Sequence, residues 1–197
     1  MNRIVRSLAL TLAVLPALAL AADTWNIDGA HSQTGFSVKH FMISTVRGDF
    51  DKTEGKVVLD EADVTKSTVE ATIDVASVST RDEKRDTHLK GPDFFEVAKF
   101  PKMTFKSTKV ERDGAGYKIT GDLTIKDVTK PVVLTVDAIS AETKDPFAGA
   151  LHRGTHASTK INRQDFGLKW NKAIETGGAV VGDEVTIELN VELIKKK

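Results

Sequence analysis

The sequence predicts an all-β fold of about eight antiparallel strands crossed by one short helix. Segment after segment alternates apolar and polar residues with the period of two that marks a half-buried strand. Only residues 80–105 interrupt this alternation, with a charged segment that can form a helix. The last strand is the clearest. Its apolar face consists of Val185, Ile187, Leu189, Val191 and Leu193.

The first 21 residues have the pattern of a secretory signal peptide. Arg3 and Arg6 precede an apolar run at residues 8–20, which ends in a small-x-small cleavage site at residues 19–21. The run is short for a membrane span of about 20 residues. We therefore expect cleavage after Ala21, a periplasmic location, and one domain over residues 22–197.

Composition argues against several classes of function. Without the signal segment the chain has 26 basic and 28 acidic residues and no basic patch, so we expect no nucleic-acid partner. It has no cysteine, and an exported protein held by packing alone suits a bacterial periplasm. There is no other long apolar stretch, so we expect no stable membrane insertion.

Five strands are predicted before the helical segment. Residues 25–27 are expected to form a short edge strand, and residues 34–40 form the next strand through their alternation. Residues 46–50 and 56–59 are expected to form a hairpin around residues 51–55. The apolar face of the fifth strand is formed by Val69, Ala71, Ile73 and Val75.

The remaining strands follow the helical segment. Residues 103–110 precede an Asp-Gly turn, and Pro131 is tolerated at the start of a strand over residues 132–139. Residues 141–155 contain one proline and two glycines and are expected to form a long loop before a strand at residues 156–161. Between these lies a strand whose apolar face consists of Tyr117, Ile119, Leu123 and Ile125.

The helical segment is predicted to form a polar lid. Thr80 and Glu83 have capping-box spacing, so the helix is expected to start at Arg81 and to end before Gly91. Within residues 81–90, Leu89 is the only large apolar residue, so the helix must lie across another surface and be held at its C-terminal end. The residues available to hold it are Leu89, Phe94, Phe95 and Phe100.

Strands with one apolar and one polar face either close into a barrel or stack as two sheets. Closure removes exposed strand edges. An eight-stranded barrel is filled by side chains or holds one small ligand. The inward residues are rich in Val, Ile and Ala, which fill little volume and favour a ligand. A simply filled core, or a sandwich, remains the alternative on pattern alone.

The residues themselves predict no enzyme. His152 and His156 are four apart, a spacing that brings ligands together on a helix but not on a loop entering a strand, so no metal site is expected. No G-x-S-x-G turn and no glycine-rich phosphate loop occurs. His40 shares a strand face with Phe36 and Val38, and it is either a rim histidine or a polar contact for the head of an apolar ligand.

A set of short motifs occurs in a specific order along the mature chain. They are WNID at 25–28, HS at 31–32, FSVKH at 36–40, VRGDF at 46–50, RDTHL at 85–89, DFF at 93–95, FP at 100–101 with Phe105, GDLTI at 121–125, VTKPV at 128–132, NR at 162–163, DFGL at 165–168 and VGDEV at 181–185. Together they resemble the YceI family of polyisoprenoid-binding or lipid-binding proteins. The resemblance implies a lipocalin-like antiparallel barrel with a long apolar pocket. It also implies that the motifs around His88 and Asp93 fix the lid helix and are not catalytic.

The leading hypothesis is a non-enzymatic periplasmic carrier or store of a polyprenyl, quinone-like or other long-chain lipid, with no cofactor. A hydrolase or protease on the same barrel, and a module that senses lipid and signals to a protein partner, are the alternatives. The native lipid and the oligomeric state, including a homodimer, stay open. The residues expected to contact the ligand are Phe36, Val38, His40, Phe50, Ile73, Val75, Leu89, Phe94, Phe95, Phe105, Ile119, Leu123, Ile125, Phe166, Trp170, Ile187, Leu189 and Val191.

Overall fold

Long antiparallel strands account for most of the chain in the computed structural model, which describes residues 22–174 and 178–196. The predicted signal peptide lies outside the described residues. One α-helix, α1 (Glu83–Lys90), and the 3₁₀ helices Val64–Lys66, Val75–Ser77 and Arg163–Phe166 accompany the strands. The strands are β1 (Asp23–Ile27), β2 (Gln33–His40), β3 (Ser44–Phe50), β4 (Thr53–Leu59), β5 (Thr68–Asp74), β6 (Val78–Ser79), β7 (Lys102–Asp113), β8 (Gly116–Ile125), β9 (Val128–Val136), β10 (Thr143–Lys144), β11 (Leu151–Asn162) and β12 (Val181–Lys195).

Eight of these strands close into an antiparallel barrel, which confirms the predicted fold class. The ring runs β11-β9-β8-β7-β5-β4-β1-β12, and the pairing of β12 with β11 closes it. The long strand β12 makes closure possible, because it pairs with β11 from Glu184 to Ile194. On its other side, β12 pairs with β1 near its C-terminus and with β2 nearer its N-terminus. Strands β2, β3 and β6 therefore extend the wall beside the ring.

The two ends of the barrel are built differently. At one end, which we call the Trp25 end, Trp25, Val57, Leu59 and Leu193 form a buried cluster, with Trp25 at 0% and Leu193 at 1% exposure. At the other end, which we call the helix end, β2 finishes and β12 begins, and α1 lies beside them together with the loop that contains Trp170. Tight packing therefore closes one end, whereas a polar helix borders the other.

Two predicted strand pairings were wrong. Residues 25–27 do not form an edge, because β1 pairs with both β4 and β12. Strands β3 and β4 do not form a hairpin either. β3 pairs with β2 and β6, whereas β4 pairs with β1 and β5. The intervening Asp51 and Lys52 bond to Ser77 and Asp74 instead, so this short connection is a crossover between two parts of the wall.

The predicted long loop at residues 141–155 is shorter in the structure. β11 already starts at Leu151. On one side it pairs with the C-terminal end of β12, and on the other side Leu151 pairs with Lys144 of the two-residue strand β10. The turn is confined to the residues between β10 and β11, where Asp145 Oδ1 accepts a hydrogen bond of 2.7 Å from the Phe147 backbone N–H. Pro146 and Gly149 marked this turn correctly, but Gly154 lies within a strand.

The helix starts later than predicted. Asp82 is its N-cap and accepts from the Arg85 N–H at 3.0 Å, so α1 begins at Glu83 and Arg81 lies before it with φ of 63°. Thr80 is not the cap. Its hydroxyl donates to Asp86 Oδ1 at 2.5 Å and accepts from Arg85 Nε at 2.7 Å, which ties the first turn of the helix to β6. As expected for a polar lid, α1 buries none of its residues.

Candidate functional site

The barrel encloses an apolar cavity of about 260 Å³. Its lining comes from nearly every strand of the wall and from the segment after α1, and almost none of it is polar. The lining includes fourteen of the residues predicted to contact a ligand. These are Phe36, Val38, Phe50, Ile73, Leu89, Phe94, Phe95, Phe105, Ile119, Leu123, Ile125, Ile187, Leu189 and Val191.

Exposure along β12 shows where the open space lies. The inward-facing Val185, Ile187, Leu189 and Val191 are only partly buried although they point away from the outer surface. Leu193, the next inward residue, is 1% exposed because it packs into the cluster at the Trp25 end. The chamber therefore extends along the first part of β12 and narrows toward Trp25.

A second cavity, of about 430 Å³, lies at the helix end. We call it the mouth. It has Phe36, Val38, Leu89, Phe94 and Val181 in common with the interior cavity. These five side chains line both spaces, and two of them, Leu89 and Phe94, belong to the lid segment.

The mouth differs from the interior in carrying charged and polar side chains. Cationic Lys39, Lys84 and Arg85 line it, against one carboxylate, that of Asp82. The remaining polar lining consists of Thr80, His40 and His88. An amphipathic ligand would therefore find charged and polar side chains concentrated at this end.

The family model for the YceI-like domain matches residues 25–193 of this chain. The chain belongs to the YceI-like family. A UPF0312 protein of Staphylococcus aureus strain N315 is 38% identical over 168 residues, covering 85% of this chain and 95% of the relative. The solved YceI protein of Campylobacter jejuni is 34% identical with a TM-score of 0.68, covering 81% of this chain and 90% of that one. A polyisoprenoid-binding domain from Saccharophagus degradans shares the fold alone, at 16% identity and a TM-score of 0.61, covering 89% of this chain and 99% of that one.

The other predicted contact residues of this YceI-like barrel lie elsewhere. His40 and Trp170 line the mouth, not the interior. Val75 and Phe166, at 1% and 2% exposure, lie in the buried core and line neither cavity. Both residues lie in 3₁₀ helices, and for Val75 the alternation that predicted an inward-facing side chain ends there.

An aromatic cluster joins the lid segment to the loop on the other side of the mouth. The His88 ring meets Phe94 and Trp170 edge-on, with centroid distances of 5.0 and 4.9 Å. His88 Nε2 lies 2.8 Å from Asp93 Oδ2, which orients the ring. The contacts of His88 therefore fit the expected role of fixing the lid.

Arg163 holds the rim of the mouth, a role that the sequence did not predict. It is 3% exposed, and its guanidinium donates to the backbone oxygens of Gly182 at 2.8 Å and Trp170 at 2.9 Å, and to that of Leu168. Burial lowers the pKa of Arg163, and Asp183, at 3.2 Å, acts in the opposite direction. The NR motif at residues 162–163 was the only feature of the sequence that marked Arg163. The alternation of apolar and polar residues cannot reveal a buried cationic side chain that donates hydrogen bonds to backbone oxygens.

Two histidine–carboxylate pairs lie together where β1 ends. His31 Nδ1 is 2.7 Å from Asp28 Oδ2, and His152 Nδ1 is 2.7 Å from Glu192 Oε1. The hydrogen bond with His31 lowers the pKa of Asp28, and in turn the bond with Asp28 raises the pKa of His31. Ligand-type atoms of Asp28, His152 and Glu192 lie within 4.8 Å of one another, a proximity that the sequence spacing does not suggest.

No helix in the described part of the chain is long and apolar enough to cross a membrane.

Proposed function

We propose that this protein binds one long-chain lipid, an isoprenoid or a related compound, and carries or stores it in the periplasm without catalysis. The observation that carries the proposal is the apolar cavity inside the barrel. Moving a hydrocarbon chain from water into this cavity is favourable, at about 25 cal/mol for each Å² of apolar surface removed from water. A polar substrate would find almost no hydrogen-bonding partner there.

The dimensions suit a long, thin chain. The inward-facing run of β12, residues 185–193, spans roughly 30 Å at about 3.3 Å per residue. The interior cavity is about 260 Å³ along this run, and the mouth adds a space of about 430 Å³ beside it. Ligand pockets usually measure about 300–1,000 Å³. An extended prenyl or acyl chain would fill the interior, and a bulkier head group would need the mouth.

The polarity of the two ends sets the orientation of the ligand. Trp25 and Leu193 seal one end with apolar packing, so a polar head placed there would lose its hydrogen bonds to water. The mouth offers Lys39, Lys84 and Arg85 as donors. The ligand head therefore lies at the mouth and its chain points toward Trp25.

The choice of an isoprenoid has support from membership in the YceI-like family and from the fold shared with a domain named for polyisoprenoid binding. The periplasmic location has support from the signal-peptide pattern at residues 1–21. Its test is the intact mass of the exported protein, which should begin at Ala22. A mature protein that keeps residues 8–20 would contradict this location.

The ligand is tested by solvent extraction and mass spectrometry of protein purified under native conditions from its own host. We expect one dominant lipid class, with masses spaced by isoprene units if the chain is a prenyl. Protein without bound lipid, which also fails to take up polyprenol or quinone after purification, would contradict the proposal.

A matched pair of variants links uptake to the cavity. Leu189→Trp places a bulky ring in the chamber, whereas Glu188→Trp places the same ring on the outer face of the same strand. The first should abolish uptake of a fluorescent prenyl lipid, and the second should not. Circular dichroism shows that both variants are folded. Equal uptake by both would mean that the ligand binds outside the barrel.

A further inference from the structure

We propose that the turn between β2 and β3 docks on a lipid membrane and brings the mouth of the cavity to the bilayer surface. The turn consists of Phe41, Met42 and Ile43, which we call the apolar tip. Their exposures are 40%, 51% and 85%. Three consecutive large apolar side chains in water are a feature of sites that bind a partner or a membrane, whereas single exposed ones are ordinary.

The backbone of the apolar tip is unfavourable for the residues that it carries. Phe41 and Met42 have φ of 51° and 59°, and the turn closes with a hydrogen bond of 3.0 Å from the Ile43 N–H to the His40 carbonyl. Turns with positive φ at both central positions strongly favour Asn and Gly, because other side chains are strained there. Folding alone would favour a polar Asn-Gly turn at this point, so apolar side chains here indicate a function that folding does not require.

The apolar tip stands at the rim of the mouth. The Phe41 ring contacts the His40 ring in a tilted arrangement at a centroid distance of 4.1 Å, and the Phe41 N–H donates to the Val180 carbonyl at 2.9 Å. His40 and Val180 both line the mouth. A surface that covers the tip would therefore also face the route by which a lipid enters.

The charges beside the apolar tip favour an anionic lipid surface over a protein partner. Lys39 lies in β2 just before the tip, and with Lys84 and Arg85 it lines the mouth, where Asp82 is the one carboxylate among the described lining residues. Basic side chains near a bilayer are attracted to anionic head groups, while apolar side chains enter the boundary between head groups and acyl chains. Three side chains of one turn also fall short of the roughly 800 Å² per partner that a standard protein interface buries.

The use of this surface in lipid exchange rests on the proposed function, but docking is measured without it. The experiment is flotation of the mature protein with vesicles of phosphatidylcholine alone and with added phosphatidylglycerol. Wild-type protein should float with the anionic vesicles and less with the neutral ones. Ile43→Ser should lower the partition coefficient about tenfold, because an aliphatic side chain no longer leaves water. Phe147→Ser is the matched control, since Phe147 is 98% exposed in the turn before β11, at the Trp25 end, and its loss should change nothing.

A second variant separates docking from folding. Met42→Asn relieves the strain at positive φ, so it should raise the melting temperature and still weaken vesicle binding. Uptake of a fluorescent lipid from detergent should be unchanged in both tip variants, so a failure of docking is distinguishable from a failure of lipid binding. Absence of wild-type flotation, or an equal loss in Phe147→Ser, would overturn the proposal. A monomer–dimer shift in Ile43→Ser, measured by light scattering, would overturn it too, because a second copy would then cover the tip.

Discussion

Two leucines of the same strand test whether the barrel is a lined chamber or a filled core. Leu193 is 1% exposed and packs against Trp25, Val57 and Leu59. Both leucines line the cavity, but Leu189, four residues earlier on the same face, is only partly buried, whereas Leu193 lies where the cavity ends against this cluster. The change Leu→Ala is chemically the same at both positions, so a difference in its effect reports on the packing around each side chain.

The magnitudes follow from what each leucine touches. Leu193→Ala leaves a new cavity in a packed cluster, which costs about 2–5 kcal/mol of the free energy of unfolding. Leu189→Ala removes the same groups, worth at most about 2.4 kcal/mol at roughly 0.8 for each carbon. Part of that side chain already borders empty space, so the delipidated protein should lose only about 1–2 kcal/mol.

The assay is denaturant unfolding of delipidated and lipid-loaded protein. A ligand at 100 times its dissociation constant adds about 2.7 kcal/mol of stability. Leu189→Ala weakens binding, so it should cost more in the loaded protein than in the empty one, whereas Leu193→Ala should cost nearly the same in both. Outward-facing Glu188→Ala is the control and should stay within about 0.5 kcal/mol. Equal, large losses for both leucines in empty and loaded protein would mean that the chamber is absent, and the carrier proposal would be wrong.

Three further predictions concern the lid, the histidine pair and the rim. Leu89→Ala should speed release of a fluorescent lipid in stopped-flow more than it lowers stability, since Leu89 lines both the cavity and the mouth; an unchanged off-rate would mean that the segment only connects two strands. The pKa of His31, measured by NMR titration, should lie above its ordinary 6.5 and fall in Asp28→Asn. The stabilisation from this pair is complete at pH values below the pKa of His31 in the unfolded chain, and it is lost as pH rises through the higher pKa of the folded protein. A His31 pKa that Asp28→Asn leaves unchanged would contradict the pairing. Arg163→Met should cost at least about 3 kcal/mol in denaturant unfolding, because it leaves buried backbone oxygens without donors. Exposed Lys160→Met, which breaks only a surface ion pair with Glu184, should cost less than about 1 kcal/mol, and similar losses at the two positions would count against the rim role.

The sequence predicted the strands and their inward faces but not their partners. Alternation depends on one face of a strand meeting apolar surroundings, so it located β2, β8 and β12 and most of the cavity lining. It contains no information on which strand lies beside which. The hairpin expected between β3 and β4 failed for this reason, since a two-residue connection serves a crossover here. Val75 was misplaced because a 3₁₀ turn ends the period of two.

The mouth was harder to predict than the chamber, because its residues come from distant segments with no shared period. Lys39, Lys84 and Trp170 meet there only after the barrel has closed. The resemblance to the family marked RDTHL and FSVKH as motifs, yet it did not show that they face each other across one opening. Polar rims depend on tertiary structure, whereas apolar interiors leave a pattern in each strand.

The distribution of packing explains how a stable barrel could still exchange a lipid. The ladder of β11 and β12 and the cluster around Trp25 hold the wall. The helix buries none of its own residues and is held at its first turn through Thr80 and at its C-terminal end through the aromatic contacts of His88. Segments with few buried apolar contacts open at lower free energy than the core. If the lid opens while the strands stay paired, the cost of opening comes from the contacts of Thr80, Leu89, Phe94 and His88.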